Sequence, residues 1–310
     1  MEFSHYSVMR DDCIDALDIK PDGVYIDCTL GGGGHSLEIA KRLENGLLIG
    51  IDRDKEAIAA AKERLSGYES VFRPVHANFS DIAHITNDLH ISGVDGILFD
   101  LGVSSYQLDS AERGFSYRFD APLDMRMSQD DELTARDVVN GYSENELQRV
   151  ISQYGEERRA GKIASLICRE REKSPIETTY QLNEIIKHAF PPSERYGAKH
   201  PSKRTYQALR IEVNGELKIL EDAVRSAAGL LKSGGRLAVM TFHSLEDRIV
   251  KNTMRDLATG CTCNKNIPVC VCGRTAVLRP VTHKPITANE RELEQNNRSK
   301  PAKLRVAEKI

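Results

Sequence analysis

The residues best suited to bind a ligand are a run of four glycines at residues 31–34 and two later aspartates, Asp52 and Asp100. The glycines lie between an apolar run and a helical pattern. A glycine-rich loop there lets the backbone approach a ligand, and the helix N-terminus favours polar or anionic groups. Asp52 follows about 20 residues on, where a carboxylate can bind both hydroxyls of a ribose. Together these residues predict a site for a nucleoside cofactor.

The loop fits two common nucleotide fingerprints poorly. The dinucleotide fingerprint requires glycine at its sixth position, which counted from Gly31 is Ser36. The Walker pattern requires Gly-Lys-Ser or Gly-Lys-Thr, whereas this chain has Gly-His-Ser. S-adenosylmethionine carries no pyrophosphate and so asks less of the loop. A turn without a ligand is the other reading, but four glycines reduce stability.

A parallel sheet is needed to bring these residues together, and the sequence predicts one. Between about residues 24 and 100, β-rich runs alternate with helical patterns, and the strand candidates are "VYIDCT", "LLIGIDRD", "SVFRPVHANF" and "VDGILFDLG". Such alternation is typical of an α/β sheet with right-handed crossovers. Since ligands bind beyond the carboxyl ends of such strands, the loop, Asp52 and Asp100 should share one edge.

The pattern changes between residues 105 and 207, where helical segments replace the alternation. One of them, "SENELQRVISQYG", begins with a predicted capping box formed by Ser143 and Glu146. We therefore predict core residues 1–104, a mainly helical insertion at 105–207 that recognises the substrate, and core residues 208–310. The last part contains the predicted helix "IEVNGELKILEDAVRSAAGLLK", the strands "RLAVMTF", "AVLRPV" and "KLRVAEKI", and a basic tail.

Composition limits the possible partners. The net charge is −3, so any surface for nucleic acid must be local. There is no run of 18 apolar residues and no export signal, which predicts a cytoplasmic protein with no membrane partner. No obligatory protein partner is evident. The odd count of seven cysteines favours reduced thiols over a disulfide framework.

Two further segments have a composition that suggests binding. "CTCNKNIPVCVC" holds four cysteines that suit a zinc site, free thiols or a redox pair, and these alternatives stay open. A basic stretch with interleaved tyrosines predicts a grip on an RNA backbone, although a solvated polar loop explains it as well. Its residues are Arg195, Lys199, Lys203, Arg204 and Arg210, with Tyr196 and Tyr206.

Four long segments carry a family resemblance: "TLGGGGHS", "FDLGVSSYQLDSAERGFSYRFDAPLDMRM", "RTYQALRIEVNGEL" and "FHSLEDRIVK". Over essentially its whole length, the chain closely resembles the MraW (RsmH) family of bacterial rRNA cytosine-N4 methyltransferases. The resemblance implies a Rossmann-like class I core that uses S-adenosylmethionine, with an inserted helical domain. It also implies methylation of the exocyclic amine of one cytidine in the decoding region of 16S rRNA, in the small ribosomal subunit.

Other functions remain as alternatives. An amino-methyltransferase acting on another nucleic acid would need the same core. A non-catalytic RNA-binding or ribosome-assembly protein could retain the cofactor pocket. A dehydrogenase fits less well because of Ser36.

The resemblance also implies which residues form the site. Those expected to bind the cofactor are Gly33, Gly34, His35, Asp52, Phe79, Asp100 and Gln107. For catalysis we predict Asp100 or the backbone carbonyl of Leu101 as the hydrogen-bond acceptor for the cytosine amine. Methyl transfer requires no metal, and we predict none for it. The candidates for stacking on the base are Tyr106, Phe115 and Phe119, while roles for Arg210, Asn214, His243 and Glu246 stay open.

Overall fold

The computed structural model describes residues 7–195, 200–263, 269 and 271–310. The strands are β1 Val24–Asp27, β2 Leu47–Asp52, β3 Phe72–His76, β4 Val94–Asp100, β5 Leu231–Thr241, β6 Leu278–Pro280 and β7 Lys303–Lys309. The helices are α1 Arg10–Leu17, α2 Gly34–Ala40, α3 Lys55–Arg64, α4 Ile82–Asp88, α5 Ser105–Asp109, α6 Ala135–Gly141, α7 Glu144–Gly155, α8 Ala160–Arg171, α9 Thr179–His188, α10 Lys203–Asn214, α11 Glu216–Leu230, α12 Ser244–Leu257 and α13 Glu290–Gln295. In these described ranges, no helix has both the length and the apolar character needed to cross a bilayer.

The strands form one seven-stranded sheet in the order β3-β2-β1-β4-β5-β7-β6. Strands β1 to β5 are parallel, and β7 is antiparallel to both β5 and β6. The chain order reverses at β1, which pairs with β2 on one side and β4 on the other. In a sheet of this kind that switch point opens a crevice at the carboxyl ends of the strands. The predicted α/β class is confirmed.

Both faces of the sheet are covered, which explains the continuous apolar runs in the sequence. Successive residues of β4 point to opposite faces: Ile97 and Phe99 pack in one core, and Leu98 packs in the other. The first core also holds α11 and α12 side chains such as Val224 and Val250. The packed sheet therefore fixes the positions of the side chains at the ends of its strands.

A second compact unit comprises Val103–Glu216, while Met1–Gly102 and Leu217–Ile310 form the first. Its core contains Leu147, Ile163, Ile186 and Leu209, from α7, α8, α9 and α10. The unit ends later than the predicted boundary at 207 because α10 packs in this core. The capping box of Ser143 and Glu146 at α7 is present as predicted.

The predicted long helix after residue 210 is two helices. Gly215 has φ 61° and forms the C-cap of α10, and α11 begins at Glu216. A residue at positive φ ends a helix, and glycine accepts that conformation at little cost. The division between the two units falls beside this break.

Candidate active site

Three carboxylates occupy the carboxyl ends of three adjacent strands. Asp27, Asp52 and Asp100 are the last residues of β1, β2 and β4, which lie side by side in the sheet. Asp52 and Asp100 were expected from the sequence, but Asp27 was not. Its signal was available, since it is the acidic residue that ends the apolar run before the glycine loop.

Asp52 holds the beginning of the glycine loop. Its Oδ2 accepts a hydrogen bond of 2.7 Å from the Gly31 N–H, and its Oδ1 accepts one of 2.9 Å from the Asp54 N–H. Burial raises the pKa of Asp52 to about 6, although these two N–H groups oppose the shift. A carboxylate has about four acceptor positions, so Asp52 keeps capacity for ribose hydroxyls after both bonds are made.

Gly33 is glycine for a reason of packing. Its φ is +74°, and a Cβ there would lie 2.7 Å from Cδ1 of Leu65 and 3.2 Å from Cα of Ala61. At Gly32 the nearest atom to an added Cβ is Nη1 of Arg64, at 3.8 Å. The loop therefore needs glycine at position 33 so that it can lie against α3.

Asp100 faces the histidine of the glycine loop. Its carboxylate Oδ2 lies 3.5 Å from Nδ1 of His35, and its N–H donates to Oγ1 of Thr29 at 2.6 Å. Burial raises the pKa of Asp100 to about 6; His35 opposes the shift, and Asp27 and Glu246 add to it. This carboxyl therefore titrates close to the neutral range.

The other ring nitrogen of His35 meets a backbone carbonyl. Nε2 of His35 lies 3.1 Å from the carbonyl oxygen of Val8, which can only accept, so Nε2 is the donor of this hydrogen bond. This bond fixes the orientation of the ring, with Nδ1 directed at Asp100.

Ser36 has a structural role that the mismatch with the dinucleotide fingerprint did not indicate. Its hydroxyl donates to Oδ2 of Asp27 at 2.7 Å, and the Thr29 N–H donates to Oδ1 at 3.1 Å. Burial raises the pKa of Asp27, with the nearby His35 opposing the shift. Ser36 therefore supports the strand end rather than marking a missing glycine.

Phe79 belongs to the core unit, whereas Gln107 belongs to the helical unit. Phe79 follows β3 in a 3-10 turn, where its half-buried ring meets Phe99 edge to face at 5.6 Å between centroids. Gln107 lies in α5 of the helical unit, where its side-chain oxygen accepts the Ser104 N–H at 3.1 Å in a capping box. The Ser-x-x-Gln spacing of such a box is visible in the sequence, but the family resemblance led us to predict Gln107 only as a cofactor-binding residue.

His243 and Glu246 cap α12. The Glu246 N–H lies 3.4 Å from Nδ1 of His243, and Oε2 of Glu246 accepts the N–H of Phe242 at 2.9 Å. Asp247, which we did not predict as a functional residue, accepts hydrogen bonds of 3.1 Å from Lys303 and 2.7 Å from Arg305 of β7. The structure thus gives the "FHSLEDR" segment a role in holding α12 at the end of β5.

Arg210 and Asn214 support the helical unit from within. Arg210 forms a two-point ion pair with Glu216, at 2.8 Å and 2.9 Å. Asn214 accepts the Met127 N–H at 2.7 Å and donates to the Met125 carbonyl at 2.8 Å. These bonds hold Met125 at its positive φ of 61°.

Part of the predicted RNA grip is wrong. Tyr206 is buried and donates its hydroxyl hydrogen to the Thr179 carbonyl at 2.8 Å, so it is not available for stacking, and Arg210 is held by Glu216. Lys203 and Arg204 are exposed. Tyr196 and Lys199 lie outside the described residues.

The aromatic candidates for stacking on the base also separate. Phe115 is buried in the helical core, so that prediction is wrong. Tyr106 and Phe119 are 41% and 45% exposed and remain accessible to a base.

The electrostatics of the strand edge favour a cationic ligand. Asp27 adds to the raised pKa of both Asp52 and Asp100, so negative charge on Asp27 opposes negative charge on each of them. A pyrophosphate would add negative charge to this edge, whereas a sulfonium would relieve the repulsion. The donor set therefore fits S-adenosylmethionine better than a dinucleotide.

Comparison with known proteins agrees with this chemistry. The model of the MraW methylase family matches residues 2–310. A ribosomal RNA small subunit methyltransferase H of Clostridioides difficile is 53% identical over 100% of both chains. Proteins of that name are 55% identical in Clostridium botulinum, over 100% of both chains, and, as methyltransferase H 2, in Agathobacter rectalis, over 100% of this chain and 99% of that one.

The match spans the loop, the three strand-end carboxylates and the helical unit alike. The predicted Rossmann-like core, methyltransferase activity and S-adenosylmethionine cofactor are thereby confirmed. The chain belongs to the MraW methylase family, and it is an S-adenosylmethionine-dependent rRNA methyltransferase.

Proposed function

We propose that this enzyme methylates N4 of one cytidine in the decoding region of 16S rRNA, within the small ribosomal subunit and in the cytoplasm. The observation that carries the chemical part is Asp100: a strand-end carboxyl with its pKa raised to about 6, beside the glycine loop that would hold the cofactor. The relatives' names, which specify the small-subunit RNA, support the substrate class.

The cofactor would lie along the strand edge. Asp52 would bind the ribose hydroxyls, and Phe79 would pack against the adenine beyond β3. Gly33, Gly34 and His35 would contact the cofactor from the loop, with Asp100 next to the methyl group. We propose Gln107 of the helical unit as a further residue that binds the cofactor. S-adenosylmethionine supplies an electrophilic methyl group on sulfur.

The chain must make the cytosine amine a better nucleophile. The lone pair on N4 is delocalised into the ring, so the amine needs acceptors that draw it toward tetrahedral geometry. Asp100 or the carbonyl of Leu101 would accept the amine hydrogens and place the nitrogen in line with the methyl group. After transfer, Asp100 is suited to take up the released proton, because its carboxyl titrates close to neutral pH.

The helical unit would bind the RNA around the target. A cytidine must leave its stack before it can enter a pocket at a strand edge. Tyr106 and Phe119 are exposed aromatic side chains on this unit and suit base stacking. With a net charge of −3, the enzyme would depend on a shaped RNA particle more than on a general basic surface.

The test uses labelled S-adenosylmethionine, with small ribosomal subunits from cells that lack this enzyme and, separately, naked 16S rRNA. Nuclease digestion and mass spectrometry would locate the methyl group. We expect N4-methylcytidine at one decoding-region site, with much more transfer to the subunit than to naked RNA. Methylation of another base or another RNA would favour a different amino-methyltransferase.

Two variants make the test sharper. Asp52→Ala should weaken cofactor binding by about tenfold or more, since hydrogen bonds to a charged group contribute roughly 1.5–3 kcal/mol each. Asp100→Ala should abolish transfer while the protein still binds RNA. If the Asp100→Ala protein restores ribosome assembly fully in cells, a non-catalytic binding role would replace the proposal.

A further inference from the structure

We propose that Cys261, Cys263 and Cys272 bind a soft divalent cation, most suitably Zn²⁺, which fixes the segment between α12 and β6. This inference is independent of methyl transfer, which we place at the carboxyl ends of β1, β2 and β4 and which requires no metal.

The spacing of the sulfur atoms fits a metal. The three Sγ atoms lie within 4.8 Å of one another, and those of Cys261 and Cys272 are 3.7 Å apart. Two thiolates that bind one zinc tetrahedrally, each at about 2.3 Å, are about 3.8 Å apart. A disulfide would need about 2.05 Å between the sulfurs. The observed separation therefore matches shared coordination and not a covalent pair.

Core packing does not explain why these thiols converge. Cysteine thiols that serve only as small apolar groups are usually buried. Here Cys261 and Cys272 are exposed and Cys263 is partly exposed. Three thiols brought together at the surface need another reason, and the site is accessible to a cation from solvent.

The backbone around the sulfurs supports thiolate ligands. The Val271 N–H donates to Sγ of Cys263 at 3.4 Å. Backbone donors of this kind stabilise thiolate charge and orient a ligand from the surrounding shell. The first pair has Cys-x-Cys spacing, and the Sγ atoms of both its cysteines lie within 4.8 Å of that of Cys272.

Hydrogen bonds hold the two ends of the segment between α12 and β6 together. The Val277 N–H donates to the Leu257 carbonyl at 2.8 Å, and Nη2 of Arg274 donates to the Asp256 carbonyl at 2.7 Å. Val271 is 77% exposed, so its side chain adds no core packing at that position. Small elements that lack a core are commonly ordered by a structural metal.

The three described cysteines supply three of the four ligands that a structural zinc ion takes. The sequence contains one more cysteine nearby, Cys270, which lies outside the described residues. Structural zinc sites are almost always four-coordinate, so three protein sulfurs leave one position for another ligand.

The experiment measures metal in the full-length protein, purified under reducing conditions. Elemental analysis should give about one zinc per chain, as expected for a structural site. After exchange for Co²⁺, the thiolate-to-cobalt absorption should report the number of sulfur ligands. Cys261→Ser, Cys263→Ser and Cys272→Ser should each lower metal content severalfold, whereas Cys168→Ser in the helical unit is the matched control and should not.

A second readout follows the segment itself. Removal of the metal by a chelator should increase hydrogen exchange between α12 and β6, with little change in the sheet and in S-adenosylmethionine binding. The proposal is wrong if the triple serine variant keeps the metal, or if the wild-type protein contains none. It is also wrong if mass spectrometry of freshly prepared protein shows these cysteines joined as disulfides.

Discussion

The carboxyl of Asp100 is the residue on which the pH behaviour of this enzyme should depend. Desolvation raises its pKa to about 6, and a carboxyl accepts hydrogen bonds from an amine most strongly when it is ionised. Below pH 6 the carboxyl is protonated; it loses its charge, and the oxygen that carries the proton becomes a donor, so the group is a weaker acceptor. A single-turnover transfer rate should therefore rise with pH through a midpoint of about 6 and then level off.

His35 provides the control for that profile. Since His35 lowers the pKa of Asp100, the variant His35→Gln should move the midpoint to higher pH. Glu44→Gln, an exposed change elsewhere in the core unit, should leave the midpoint unchanged. A profile that is flat between pH 5 and 8, or one that His35→Gln does not move, would show that Asp100 is not the acceptor.

The same carboxyl should reduce stability at neutral pH. Its pKa is about 6 in the folded protein against an ordinary 3.8, so the folded state binds more protons between these values. Stability is therefore lost as the pH rises from 3.8 to about 6, and the loss is constant above that. Asp100→Asn, which resembles the protonated form, should have a higher melting temperature than wild type at pH 7.5.

The pH dependence of this difference identifies its cause. Thermal unfolding without cofactor should show the advantage of Asp100→Asn shrinking as the pH falls from 6 toward 4, while Glu44→Gln follows wild type throughout. An advantage of the same size at every pH would point to repacking around the new side chain. Lower stability of Asp100→Asn at pH 7.5 would contradict the prediction.

At the scale of elements, the glycine loop is shaped by its contact with α3. Gly33→Ala places a Cβ 2.7 Å from Leu65 and requires a residue with side chain at φ +74°. We expect a loss of about 1–3 kcal/mol in the free energy of unfolding and weaker cofactor binding, because the loop must move. Urea unfolding and calorimetric titration with S-adenosylmethionine measure the two effects.

Gly32→Ala is the matched control in the same loop. The nearest atom to its added Cβ is 3.8 Å away, and the position does not have a positive φ. Its stability should differ from wild type by less than about 0.5 kcal/mol, as for most changes without strain or burial. Equal losses at positions 32 and 33 would show that the contact with α3 does not determine the glycine.

The elements were largely predictable, because their signals are local. Strand ends, capping residues and the alternation of strands with helices are written in short segments, and Ser143 with Glu146 is one example. The break at Gly215 was missed because an amphipathic pattern runs through it without interruption. The role of Ser36 was missed because its partner, Asp27, becomes a neighbour only when β1 and α2 pack.

At the scale of the whole molecule, the sequence predicted two units but misplaced where the second one ends. Polar composition ended near residue 207, whereas the helical core continues through Leu209 and Val213 of α10. The prediction of an RNA-binding surface from the basic stretch was partly wrong for the same reason. Charge and aromatic content are visible in sequence, but the burial of Tyr206 and the pairing of Arg210 with Glu216 depend on how α10 packs.

Two exposed basic residues of the predicted RNA-binding stretch lie at the start of α10 and lead to a prediction about RNA binding. Lys203 and Arg204 are exposed. Nη1 of Arg204 donates to the Glu156 carbonyl at 3.1 Å and lies 3.8 Å from the Glu157 carboxylate, but the side chain of Arg204 is 55% exposed, against 16% for Arg210. If each contacts one phosphate, Lys203→Gln with Arg204→Gln should reduce the slope of log affinity against log salt by about 1.4–1.8, since each contact contributes roughly 0.7–0.9.

Affinity of the double variant for a 16S rRNA fragment would be measured at several salt concentrations, and its melting temperature would verify that the fold is kept. A matched variant, Lys41→Gln with Lys62→Gln, removes the same charge from exposed positions of the core unit. A loss of affinity that depends only on net charge would be equal in the two variants. A reduced slope in the α10 variant alone, with unchanged S-adenosylmethionine binding, would instead place phosphate contacts at the start of α10, because counterion release counts the contacts themselves.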